Sequence, residues 1–286
     1  MIGWPAFFTW PLLVAQLIIF GTAAFALIFS PRGTIDTGRT SDQNLKLWRA
    51  LAIFNLAISP LLFMEMASEM AQLTWTQTLP FLQEIASETI AGRVWIWRLR
   101  LVVILAIAVW MPLRKKAVGL AALVLTAALI ALASVTSHAI DRGMLAEAIY
   151  FLHQAAAALW LGALVSLLLS AGDGADTIAA ITPRVSTVCA SSVAIIAISG
   201  VLTAFQWIGW NLNLLVDSTY GRTLMGKLLT TAPALLLGGY NRYWQMPRLA
   251  QGSVRVLLVR NVAAECILLL AVLAWSAMLA NTPPPH

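Results

Sequence analysis

Residues 137–162 read SHAIDRGMLAEAIYFLHQAAAALWLG. One apolar run ends at His138, a polar turn at Asp141-Arg142-Gly143 reverses the chain, and a second apolar run carries His153 just inside it. If both runs cross a membrane, the two imidazoles lie in the same leaflet. An ionisable side chain at membrane depth is costly to keep, which makes it a candidate for function once its partner is named. Two histidines converging from one hairpin are what a metal site requires. Taken singly, either could equally hydrogen-bond a neighbouring helix and only pack.

Composition places this hairpin in a bilayer. Of 286 residues 60% are hydrophobic and only 10% charged, with a mean hydropathy of +0.84. Soluble domains carry about 25% charged residues. The net charge of +6 does not argue for nucleic acid. Its basic residues are separated by long apolar stretches, with no basic run interleaved with aromatics and no glycine-rich phosphate loop. Cys189 and Cys266 form no CxxC motif or disulfide framework and read as small buried hydrophobes.

Outward from the hairpin, runs of spanning length fall at about 7–29, 48–66, 95–113, 117–139, 147–170, 188–209, 223–246 and 257–280. They predict an all-α integral membrane protein, eight transmembrane helices in one bundle, with residues 1–286 as a single polytopic domain. The stretch before Pro11 has no Lys or Arg. Although Ala24-Phe25-Ala26 looks like a cleavage site, the first run reads as a retained helix, with Trp4 and Trp10 in an aromatic belt. The 67–94 connection is polar and mildly amphipathic and predicts one short helix on the membrane surface.

Orientation follows from the basic residues. Alternate sides receive twelve and six of them, and Arg114-Lys115-Lys116 lies on the richer side. That side is expected to be cytoplasmic, with both termini periplasmic in a bacterial inner membrane. His138, His153 and most carboxylates then face outward. So do Met66 and Met70, which are spaced i, i+4 and share a helix face. Thioethers select soft cations such as Cu(I), and imidazole suits copper in either oxidation state. The same methionines could be ordinary apolar filler. Asp141, three residues past His138, could accept that ring's second N–H and fix its tautomer.

Gly92-Arg93-x4-Arg98 and Gly221-Arg222-x4-Lys227 open the third and seventh runs, each with a threonine just upstream (Thr89 and Thr219). That spacing suggests a duplicated four-helix unit. Arg98 and Lys227 could snorkel outward or pair with outer carboxylates. Glu265, about eight residues into the last run, could pair with Arg242 as structural glue between helices, with a proton or ion relay as the lesser alternative.

With these residues laid out, the chain resembles the CopD/PcoD family of bacterial copper-resistance membrane proteins. The resemblance is strongest over 183–285. It rests on Thr219-Tyr220-Gly221 with Lys227, Asn241-Arg242 with Pro247, Arg260 and Glu265 in RNVAAE, and the terminal Thr282-Pro283-Pro284-Pro285. Upstream, Ser137-His138-Ala139, His153 and Trp160-Leu161-Gly162 resemble the family's histidine hairpin. The resemblance implies copper movement across the inner membrane, without enzymatic activity, in concert with a separate CopC-like periplasmic copper-binding protein. It carries a metal role to His138 and His153. Met66 and Met70 join them from residue chemistry alone. The alternative is a redox protein holding haem b between His138 and His153 as axial ligands.

Overall fold

The computed structural model describes residues 4–29, 39–135, 143–173, 175–211, 213–249 and 252–283. All regular structure in them is helical. Long helices are α1 (Trp4–Ala24, continued by a π turn at Phe25–Phe29), α2 (Arg39–Ala71), α5 (Ile90–Trp110), α6 (Lys115–Val135), α7 (Met144–Leu169), α8 (Ala175–Ile208), α10 (Thr219–Tyr240) and α11 (Gly252–Ala280). Short α3 (Trp75–Thr78) and α4 (Leu82–Glu88) lie between α2 and α5, and short α9 (Leu214–Asp217) precedes α10. The 67–94 connection is thus shorter than its polarity suggested, because α2 runs on to Ala71. It holds two short helices and a 3-10 turn (Leu79–Phe81) instead of one helix.

Among the described residues six helices are long and apolar enough to cross a membrane: α1, α2, α6, α7, α8 and α11. The remaining long pair, α5 and α10, have comparable lengths of 21 and 22 residues but carry Arg93, Arg98 and Arg100, or Arg222 and Lys227. An all-helical membrane protein follows from these lengths and compositions.

Helices α1 and α7 form the centre, each packed against three or more other long helices. Small residues allow it. A Cβ on Gly21 would fall 1.8 Å from the Ala158 carbonyl oxygen, and one on Gly162 would fall 2.1 Å from the Gly21 carbonyl carbon. The backbones therefore touch, the close approach expected where apolar lipid gives helices no hydrophobic drive to associate. Helices α2 and α6 flank α1, α8 and α11 flank α7, and α5 and α10 pack on α6 and α11 respectively. The neighbour pattern of the first four long helices recurs in the last four with one departure. Helix α2 packs along α5, whereas α8 stands away from α10.

Polar contacts tie the helices together at one end. Lys115 Nζ pairs with Asp42 at 2.7 Å. Arg49 donates through Nε to the Val109 carbonyl at 2.9 Å and lies over the Trp110 ring. Arg184 donates to the Phe29 carbonyl at 3.0 Å, and Thr40 Oγ1 donates to Asp173. Trp10 is not purely a belt residue: its indole N–H donates to the Leu270 carbonyl at 2.9 Å, joining α1 to α11.

The starts of α5 and α10 are built alike. Thr89 and Ser218 are N-caps with nearly the same backbone angles (φ −100°, ψ 149° and φ −92°, ψ 150°). Their hydroxyls accept from the Gly92 and Gly221 amides at 2.8 and 2.9 Å. Arg93 and Arg222 each reach back six residues, to the carbonyls of Ser87 and Val216. Both glycines abut the preceding short helix, where a Cβ would lie 2.0 or 2.1 Å from a carbonyl oxygen. The threonine named upstream of the second motif is not the cap. Ser218 is the counterpart of Thr89, one residue before Thr219.

Candidate functional site

His153 lies nine residues beyond the Met144 start of α7. At 1.5 Å per residue that is about 13 Å along the helix, deeper than the sequence suggested because the helix begins three residues earlier than the apolar run. Its Nδ1 is 2.9 Å from Ser199 Oγ on α8. The serine hydroxyl is itself committed, donating to the Ile195 carbonyl at 2.6 Å. Ser199 must then accept, so His153 Nδ1 carries the proton and Nε2 carries the lone pair. This orienting contact was not legible from sequence, since Ser199 sits among many small residues of α8. Gly200 leaves the ring its space, with Cε1 3.4 Å from where a Cβ would stand.

The other expected ligands are less drawn together. His138 and Asp141 lie outside the described residues. Met66 is half-buried and Met70 is 49% exposed near the end of α2. Nearby, Glu65 accepts from the Trp75 indole at 2.6 Å. Among the described residues no group of three or more His, Cys, Asp or Glu side chains is placed to hold a metal ion.

The expected Glu265–Arg242 pair is not formed. Glu265 is 2% exposed and stands at the middle of α11. Its Oε1 accepts from the Trp160 indole at 2.9 Å and its Oε2 from Asn241 Nδ2 at 3.3 Å. Asn241 in turn accepts from Asn261 at 3.1 Å. Arg242 donates instead to the Ser186 carbonyl and hydroxyl at 2.9 and 2.6 Å. Asn241 lies three residues past Gly238, so the two share the face of α10 toward the carboxylate, and a π turn over Asn241–Gln245 begins at that point. Gly238 permits the approach, since a Cβ there would be 3.0 Å from Glu265 Oε1.

Between α8 and α10 is a cavity of about 210 Å³ lined by residues that include Trp160, Cys189, Gly238, Arg242 and Glu265. Cys266 is buried and unpaired, and Cys189 is half-buried and unpaired. Arg98 and Lys227 likewise form no ion pair among the described residues. Arg98 stacks over the Trp95 ring at 4.4 Å, one turn before it on α5.

Fold and site together define a helical integral membrane protein with histidine and carboxylate side chains held at membrane depth. Two family models match it: "Copper resistance protein D-like, N-terminal domain" over residues 6–147 and "Copper resistance protein D" over residues 179–279. Between them they span most of the chain, and the chain belongs to the copper resistance protein D family. It is similar to a protein named Copper resistance protein D from Pseudomonas syringae pv. tomato, at 27% identity over 91% of both chains. No solved structure matches it.

Proposed function

We propose that this protein moves copper across the bacterial inner membrane as a non-enzymatic, eight-span transporter with both termini periplasmic. Copper is taken at the outer leaflet by His138 and His153, with Met66 and Met70 as thioether ligands and Asp141 orienting His138. A separate CopC-like periplasmic protein delivers it. From there the ion passes inward between helices. Family membership supports the cargo, and no observation favours haem b over copper.

The observation that carries the site is the Ile195–Ser199–His153 relay. A metal-binding histidine characteristically has its second nitrogen held by an outer hydrogen-bond partner, which fixes ring and tautomer. Ser199 holds Nδ1 and leaves the Nε2 lone pair for the ion. The donor set is soft or borderline throughout, as copper prefers.

The test is copper binding and copper uptake by the purified protein in liposomes, compared with the His138→Ala/His153→Ala variant. Stoichiometric copper, lost together with uptake in the variant, supports the reading. Iron with a Soret band, lost in the variant, would replace it with a cytochrome. Uptake that survives the double substitution places the entrance elsewhere.

A further inference from the structure

We propose that Glu265 is a proton-loading site at the end of a wet vestibule between α8 and α10, and that its protonation is coupled to copper passage. The coupling rests on the transport reading above. The protonation does not.

Three observations lead there. A carboxyl group buried at mid-helix in a membrane protein must be paired, neutralised or functional, because an isolated charge at that depth is expensive. Glu265 has no cation on it. The groups facing it are the Trp160 indole from α7, Gly238 of α10 and Asn241 beside it, and Cys189, which lines the same cavity from α8. Cys266 and Asn261 accompany it on α11. All its hydrogen-bond donors are neutral.

The cavity reaches this carboxyl from the basic end of the bundle. Its walls include Ser186 and Arg242 toward that end, and its volume of about 210 Å³ admits several waters. One turn past Asn241, next to the cavity wall but not part of it, Gln245 is 2% exposed, and its amide oxygen and nitrogen find no hydrogen-bond partner among the described residues. A buried amide in that condition calls for water.

Arg242 supplies the alternate counter-charge. It borders the same cavity but is latched across it to Ser186. While the carboxyl is neutral the latch holds. When it is ionised the guanidinium is drawn toward it, releasing Ser186 and parting α8 from α10 at that end. The proton balance is simple: a hydronium in the vestibule gives its proton to a Glu265 oxygen and leaves as water, and release is the reverse. Cys189, Cys266 and Glu265 are not arranged as a three-ligand group, which favours a proton over a resident ion here.

The decisive experiment is pH-difference infrared spectroscopy of the full-length protein in liposomes without copper, comparing wild type, Glu265→Gln and Arg242→Gln. A protonated-carboxyl stretch that titrates in wild type, vanishes in Glu265→Gln and has its midpoint displaced in Arg242→Gln is expected. Spectra unchanged by Glu265→Gln, or a midpoint indifferent to Arg242→Gln, overturn the assignment. Copper uptake is then read against a pH gradient. Wild type responds by up to about tenfold per unit, the limit for one proton per cycle, and Glu265→Gln responds by less than about twofold. An equal response in both overturns the coupling. If wild type carries no copper at all, the transport reading fails with the coupling, while the infrared result still decides the proton site.

Discussion

Gly21 and Gly162 meet backbone to backbone, with a Cβ on either falling within about 2 Å of the other helix's main chain. Helices α1 and α7 can occupy the centre of the bundle because neither has a side chain at the point of crossing. The methyl of Gly162→Ala has only backbone to push against. It should cost about 3 kcal/mol or more, read as a lowered unfolding temperature in detergent. Gly239→Ala, where nothing lies within 4 Å, is the matched control and should leave stability level or slightly raised. Equal behaviour of the two variants would refute the crossing.

Removing the indole donor by Trp160→Phe leaves Glu265 Oε1 without its 2.9 Å partner while keeping most of the ring volume. Leaving a buried acceptor without its donor costs about 1–3 kcal/mol. Thermal unfolding should show a loss of that size, and a smaller one in a Glu265→Met background, because Met offers no carbonyl oxygen and the two substitutions act on one interaction. Strict additivity would deny that they are coupled.

Ser199→Ala tests the histidine relay without touching a metal ligand. It removes the acceptor that commits His153 Nδ1 to carrying the proton. Loss of such an outer partner typically weakens metal binding by about 10–100-fold. A Cu(I) competition titration should report a fall in that range, with stability almost unchanged. An unaltered affinity would remove His153 from the site.

The two helix entries predict a matched pair. Thr89→Ala and Ser218→Ala each delete an N-cap bond to the nearby glycine amide. Each should lower stability by about 1 kcal/mol. The hydroxyl-preserving exchanges Thr89→Ser and Ser218→Thr should cost much less. Caps of very unequal worth would argue that the resemblance between the entries is only local.

Much of the architecture was legible because lipid imposes long apolar runs that composition reveals directly. All eight expected runs fall on long helices, six of them long and apolar enough to cross a membrane. Their ends were not legible. Helix α2 begins nine residues before its apolar run and α8 thirteen before, since polar residues such as Asp42 and Thr40 continue the helix while bonding Lys115 and Asp173. Hydropathy cannot see a helix that outlasts its apolar stretch. The repeat at Gly92 and Gly221 was visible as a pattern, but its cap was shifted by one residue because Ser and Thr compete for the same role.

Of the candidate site, His153 and Glu265 were both picked out as ionisable groups in apolar surroundings. Their partners were not. Depth along a helix can be counted from sequence, whereas the face it turns to a particular neighbouring helix cannot. Charge alone therefore coupled Glu265 to Arg242, while the structure gives it Trp160 and Asn241. Ser199 escaped notice for a related reason: its neighbourhood is set by how α8 lies on α7, which a linear pattern does not encode.

The loosely wound segment Asn241–Gln245 makes chain length itself a constraint on this protein. Deleting a single residue there would remove the extra residue that the wide turn accommodates and return the segment to ordinary winding. Loss of Asn241 itself would bring Arg242 into its place, and the buried carboxyl would face a guanidinium instead of an amide. Exchanges of side chain within these five positions should be far better tolerated than insertions or losses. A library of one-residue indels across 236–250, scored for membrane yield and copper tolerance, would expose that asymmetry as a sharp trough over one turn.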